Sequence, residues 1–234
     1  YSTAVNSFKR FREERDIPIE DLDSNLMSEY EHWLKERGLC KNTTSFYMRN
    51  LRAIYNRAVD KELAVQRFPF KHVYTGIDKT VKRALSAKSI KEIKNLDLSL
   101  FPQLDYARDL FMFSFYTRGM SFIDMAFLKK KDLPGNILGY RRKKTSQQLF
   151  IKWEKPMQEI TDKYDTGSSP YLLPIIKEDG TDKRTQYKNA AHKLNDRLKQ
   201  IGKQIGLEIP LTSYVARHSW ASIARSKNIS ISII

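Results

Sequence analysis

One cysteine, Cys40, stands among 234 residues, so no intrachain disulfide can form and a zinc site would need other ligands. No apolar run approaches the roughly 20 residues of a membrane-spanning helix, and no signal peptide opens the chain. A helical membrane span and a disulfide framework are thereby excluded, and a reducing, cytoplasmic setting is expected. There is no Walker-type phosphate loop and no carboxylate cluster, so neither ATP nor a metal nor another cofactor is called for. Internal repeats and low-complexity tracts are lacking too. The chain starts on Tyr1, not on methionine, and ends on the largely apolar Ser230-Ile231-Ser232-Ile233-Ile234, so both ends read as cuts.

What is present is positive charge. Lys and Arg total 42 against 27 Asp and Glu, a formal net charge of +15. The excess is spread from Lys9 to Lys227, which sets it apart from a basic tail. Such a balance suits a polyanion, since each Lys or Arg placed against a phosphate releases condensed counterions. With 41% hydrophobic residues and 12% aromatics the chain can also build a core.

Periodicity predicts a mainly α protein. Ala4 to Arg15 places Ala4, Phe8 and Phe11 on one face; Asp23 or Ser24 caps a second helix with Met27, Tyr30 and Leu34 inward and Gly38 at its end. A third helix runs from about Asn42 to Leu63 with Tyr47, Leu51, Ile54, Tyr55 and Ala58 as its apolar stripe. Gln66 to Ile77 is proline-interrupted and extended. The expected division is a small all-helical domain over 1–77, a basic linker over 78–83, and a larger, mostly helical domain over 84–234. In the second domain Ser86 caps a helix, Asp105 to Tyr116 is apolar on several sides, and two strands (136–142 and 148–153) flank Lys143-Lys144-Thr145-Ser146. Helices resume at about 156–164, 183–205 and 213–227, the second with the stripe Tyr187, Ala191, Leu194, Leu198, Ile201 and Ile205.

The third helix carries the first chemical signal. Asn42, Ser45, Arg49, Arg52 and Asn56 share the face opposite its apolar stripe, and Asp60, at the far end, is the only acid there. Arg and Asn pair bidentately with guanine and adenine edges, and a helix fits the major groove. An ordinary solvated face mixes its signs; this one points to DNA contact.

A second signal is Thr212-Ser213-Tyr214-Val215-Ala216-Arg217-His218-Ser219-Trp220-Ala221. An Arg-His pair in a small-residue helix after a polar turn resembles box II of the tyrosine recombinases, written His-x-x-Arg-His. Gly119-Met120-Ser121-Phe122-Ile123-Asp124-Met125-Ala126-Phe127-Leu128 resembles their box I, in which Gly-Leu-Arg precedes an acid and leucines. Lys143-Lys144-Thr145 between the boxes resembles the family's lysine hairpin, and the opening three helices its core-binding, SAM-like domain. The set follows the family's order over nearly the whole chain, and the combination Arg-Gly-Met-Ser with Tyr-Val-Ala-Arg-His is similar to Bacteroides-type mobile-element integrases.

The resemblance implies a small helical core-binding domain joined to a mostly helical catalytic domain with a β-hairpin. It implies site-specific recombination or integration of DNA through a phosphotyrosyl link that conserves bond energy for rejoining. Arginines clamp the non-bridging oxygens, and a hairpin lysine protonates the leaving 5′ oxygen. Arg217 matches box II, and His218, which follows it as in the family, is expected to be structural. Tyr214 stands where the family has histidine, and Ser121 where it has the first arginine, with Arg118 one turn earlier as the preferred replacement. Lys144 is the favoured lysine, Lys143 its alternative. The nucleophilic tyrosine and the third box are expected beyond Ile234, which would leave these 234 residues able to bind DNA but not to cut it. The implied partners are a double-stranded core site with inverted repeats and further copies of the protein on that DNA. A non-catalytic sequence-specific DNA-binding protein or an orphan core-binding module is the alternative, but it has no use for a lysine hairpin followed by Arg217.

Overall fold

The computed structural model describes residues 1–80, 83–164, 166–177 and 180–230. The chain divides into two units, Tyr1–Val81 and Lys82–Ile234. Within the linker expected over 78–83, residues 81 and 82 lie outside the described residues, as does the terminal run 231–234.

The first unit holds α1 (Ser2–Phe11), α2 (Ser24–Glu36) and α3 (Lys41–Asp60). The Asp23 carboxylate accepts the Leu26 N–H and so starts α2. Gly38, at φ +74°, turns the chain after it. Met27, Tyr30 and Leu34 are buried at helical spacing against Met48 and Tyr55 of α3 and against Phe70 and Val73 of the segment that follows. Phe8 meets Tyr30 edge-on at 5.1 Å between centroids. The first helix stops short of the expected Arg15 because Glu13 and Glu14 take positive φ, and α3 ends at Asp60, with Glu62 likewise left-handed.

The buried seam of α3 also differs from the expected stripe: it includes Thr44, Ser45 and Met48 with Tyr55 and Ala58, while Tyr47 and Leu51 are only partly covered. The cause is the extended segment after α3, which folds back along the helix. The Ser45 hydroxyl donates to the Gly76 carbonyl, and Arg52 donates to the Thr75 hydroxyl at 2.9 Å. Asn42 exchanges two hydrogen bonds with the backbone of Asp78, at 2.7 and 2.9 Å. The Tyr55 hydroxyl donates to the Val65 carbonyl at 2.9 Å.

The second unit is mostly helical: α4 (Ala87–Asn95), α5 (Pro102–Tyr116), α6 (Phe122–Ala126), α7 (Lys155–Lys163), α8 (Lys183–Gln204) and α9 (Ser213–Ser226). One antiparallel hairpin, β1 (Ile137–Arg141) and β2 (Gln148–Lys152), runs in a register that sets Leu138 opposite Ile151 and Arg141 opposite Gln148. As its all-round apolarity predicts, α5 is central: Leu110, Phe111, Met112 and Phe113 are all buried, and α4, α7, α8 and α9 pack around it. Leu194, Leu198 and Ile201 of α8 lie in the same core, each such burial contributing about 1.5–3 kcal/mol. An ionic group closes the α5–α7 side. Asp109 accepts from Lys163 and the Tyr164 hydroxyl, both at 2.7 Å, and Arg108 pairs with Asp105 and Asp109. Burial first, and then the hydrogen bond to Asp109, push the Tyr164 hydroxyl far above its ordinary range.

Candidate active site and nucleic-acid face

The site begins where α5 ends. Arg118 (φ +58°) and Gly119 (φ +76°) are successive left-handed residues, and they bend the chain so that Gly119 lies directly on α9. A Cβ built on Gly119 would stand 2.6 Å from Arg217 Cα and 2.8 Å from its Cβ, which no side chain can accommodate. The turn is pinned by the Ser114 hydroxyl, which donates to the Met120 carbonyl at 2.7 Å. Arg217 returns the contact by donating its Nε–H to the Gly119 carbonyl. With Nε thus held, the guanidinium has its terminal nitrogens left for a ligand.

A cavity of about 530 Å³ opens beside this contact, walled by Arg118, Arg142 and Arg217 with Tyr140, His218 and Trp220. Among the described residues no carboxylate lines it. Burial first, and then the nearby Arg142 guanidinium, lower the proton affinity of Arg217 below arginine's usual value. Three arginines gathered around one cavity make an anion site.

Ser121 and the two lysines lie elsewhere. The Ser121 hydroxyl donates to Asp124 Oδ2 at 2.5 Å, and Asp124, 4% exposed, accepts the Lys143 N–H on Oδ1 at 2.9 Å. This carboxylate therefore ties the turn after α5 to the hairpin. Lys143 lays its ammonium over the Phe127 ring, 4.1 Å from the centroid, while Lys144 is exposed at the tip. Neither lysine lines the cavity. Tyr214 is 57% exposed and meets His218 edge-on at 4.6 Å; of the two, His218 reaches the cavity wall. Reading the sequence missed Arg142, Asp124, Tyr140 and Trp220. Period-two alternation from Leu138 through Tyr140 to Arg142 was the signal available for two of them.

In the first unit, Asn42 and Ser45 spend their side chains on the returning segment. Arg49 is half-buried, its Nε covered and without a partner, and Arg52 and Asn56 are exposed. Arg52 and Asn56 line a second cavity of about 520 Å³ with Phe68 and Lys71. Among the described residues no group of three or more His, Cys, Asp or Glu is placed to hold a metal, and no helix is long and apolar enough to cross a membrane.

Residues 1–75 match the family described as the phage integrase SAM-like domain. No curated protein matches the sequence significantly. Among solved structures, a lambda integrase fragment in a dimer bound to a COC′ core site superposes with a TM-score of 0.73 at 15% identity, covering 99% of this chain and 84% of that one. The longer lambda integrase dimer on the same site gives 0.71 at 15% identity, with 99% of this chain but 65% of that one covered. The Tn1549 transposon integrase in complex with transposon right end DNA gives 0.68 at 14% identity, covering 98% and 82%. At these identities the likeness is one of fold. Residues 1–75 thus carry a phage integrase SAM-like domain, and the chain shares its fold with these integrases.

Proposed function

We propose that the chain is the core-binding and catalytic part of a site-specific DNA recombinase, the integrase of a mobile element or an invertase, working in the cytoplasm. The cavity between the α5 turn, the hairpin and α9 carries this reading: three arginines and, among the described residues, no carboxylate line it, and Arg217 is seated against Gly119. In this reading the cavity takes the scissile phosphate. Arg217 holds non-bridging oxygens, where a planar guanidinium stays charged and donates in pairs. A tyrosyl oxygen bonds to phosphorus as the bond to the 5′ oxygen breaks, and Lys144 at the hairpin tip delivers the proton to that leaving oxygen. Arg118 at the cavity wall and Tyr214 at its margin are auxiliary donors. Ser121, committed to Asp124, supports the turn.

The nucleophile in this reading comes from outside the 234 residues. Tyr140 is the tyrosine lining the cavity, but it is 7% exposed and its hydroxyl is pushed up to about 12, first by burial. That makes it a poor phenolate at neutral pH. Arg49, Arg52 and Asn56 on α3 face the DNA, with Asn42 and Ser45 shaping that face through the returning segment. A core site with inverted repeats, bound by two or more copies, fits the reading: lambda integrase has been solved as a dimer on a core site and as a tetramer on a Holliday junction.

A nicked suicide duplex, selected for binding from a random pool, tests this. The 234-residue chain is expected to bind it and form no covalent adduct, while the native protein carrying its tyrosine forms one that survives denaturation. Failure of both to bind any duplex, or an adduct formed by the 234 residues themselves, contradicts the reading.

A further inference from the structure

The tyrosine recombinases place an arginine where this chain has Ser121, and the hydroxyl of Ser121 is taken by Asp124. A phosphate held by Arg217 alone would keep most of the charge that builds on its oxygens in the transition state. We propose that Arg142, carried by the hairpin, supplies the second guanidinium on the scissile phosphate.

The inference rests on the recombinase reading above and on four observations. Leu138 and Tyr140 on β1 are buried, and strand alternation continues that inward face to Arg142, just past the strand's end. There Arg142 lines the same cavity as Arg217. Its Nε is buried and has no hydrogen-bond partner. A buried, charged donor left unmade is costly, and an anion in the cavity is what would satisfy it. The hairpin that carries it is held in place: Arg142 N–H donates to the Gln147 carbonyl and Ser146 N–H to the Arg142 carbonyl, both at 2.8 Å, while Asp124 grips the next residue, Lys143. Arg118, by contrast, is exposed, whereas Arg142 is half-buried on a hairpin whose backbone is held by hydrogen bonds, and its charge already acts on Arg217.

The test uses the native protein with the suicide duplex in two forms, one with the ordinary scissile phosphate and one with a methylphosphonate there, which removes a charge from the non-bridging position. If wild type forms no adduct, the recombinase reading itself has failed, before any variant is made. If it does, Arg142→Ala is expected to slow adduct formation on phosphate by about 10²–10³-fold with duplex affinity little changed. Arg142→Lys is expected to fall between, because an ammonium supplies charge without the fork. On methylphosphonate the gap between Arg142→Ala and wild type should narrow, since less charge needs neutralising. Three results overturn the proposal: wild-type cleavage by Arg142→Ala, a larger loss in Arg118→Ala than in Arg142→Ala, or an equal deficit on both duplexes, which would mark a merely structural role.

Discussion

Gly119 and Arg217, 98 residues apart in sequence, are in such contact that the glycine has no room for a Cβ while its carbonyl holds the arginine's Nε. The contact joins the end of α5 to α9 and sets the direction of the guanidinium. Gly119→Ala combines a left-handed backbone with a clash against helix backbone, so a loss of about 2–4 kcal/mol is expected. Urea denaturation of the two proteins measures it. A variant as stable as wild type would mean that α9 can shift freely, and that Arg217 is not positioned by this turn.

Asp124 is the second positioning device. Removing its carboxylate in Asp124→Ala leaves the Lys143 N–H and the Ser121 hydroxyl unsatisfied, at about 1–3 kcal/mol. The hairpin should loosen locally, and hydrogen exchange at the Lys143 amide should quicken markedly. Asp124→Asn, which keeps an acceptor, should lie between. An unchanged exchange rate in Asp124→Ala would show that the strand ladder alone holds the hairpin.

On α3 the returning segment engages Asn42, Ser45 and, through Thr75, Arg52, while the Arg49 Nε has no partner. Arg49→Gln and Arg52→Gln should weaken duplex binding and lower the log–log salt dependence by about one unit per lost phosphate contact. Asn42→Ala and Ser45→Ala should instead cost the unit about 1 kcal/mol each through the segment they tie down, leaving the salt slope alone. If the arginine variants keep both affinity and slope, this face is ordinary solvated surface.

Burial raises the Tyr30 hydroxyl to about 12, only partly offset by its hydrogen bond to Ser7. A folded-state value above the unfolded one favours folding while the group is protonated. The contribution is therefore complete below about pH 10 and is lost as pH climbs toward 12. Denaturation midpoints at pH 9 and pH 11 should show a smaller alkaline fall in Tyr30→Phe than in wild type. Equal falls would mean that other groups account for the alkaline loss.

The local patterns were legible in the sequence because they depend on neighbours in the chain. Met27, Tyr30 and Leu34 of α2, the stripe of α8 and the hairpin all follow from side-chain periodicity, and the cap by Asp23 from residue type. What could not be read is what depends on distant chain. The returning segment buries Ser45 and engages Asn42, which no projection of α3 shows. The Ser121–Asp124–Lys143 link spans a turn and a hairpin, so the partner of the Ser121 hydroxyl could not be read from its place in the motif. Arg142 stood beside two lysines, and only the burial of Tyr140 decides which of these cations faces inward.

The most direct measurement of the central claim, that Arg217 works on a scissile phosphate, is adduct formation by Arg217→Ala in the native protein, read beside its affinity for the same duplex. In the proposed reading Arg217 acts on transition-state charge, whereas affinity is spread over phosphate contacts of both units. Cleavage should therefore be abolished while affinity stays close to wild type. Cleavage that persists in Arg217→Ala, or that falls only in step with a matching loss of affinity, would contradict the account.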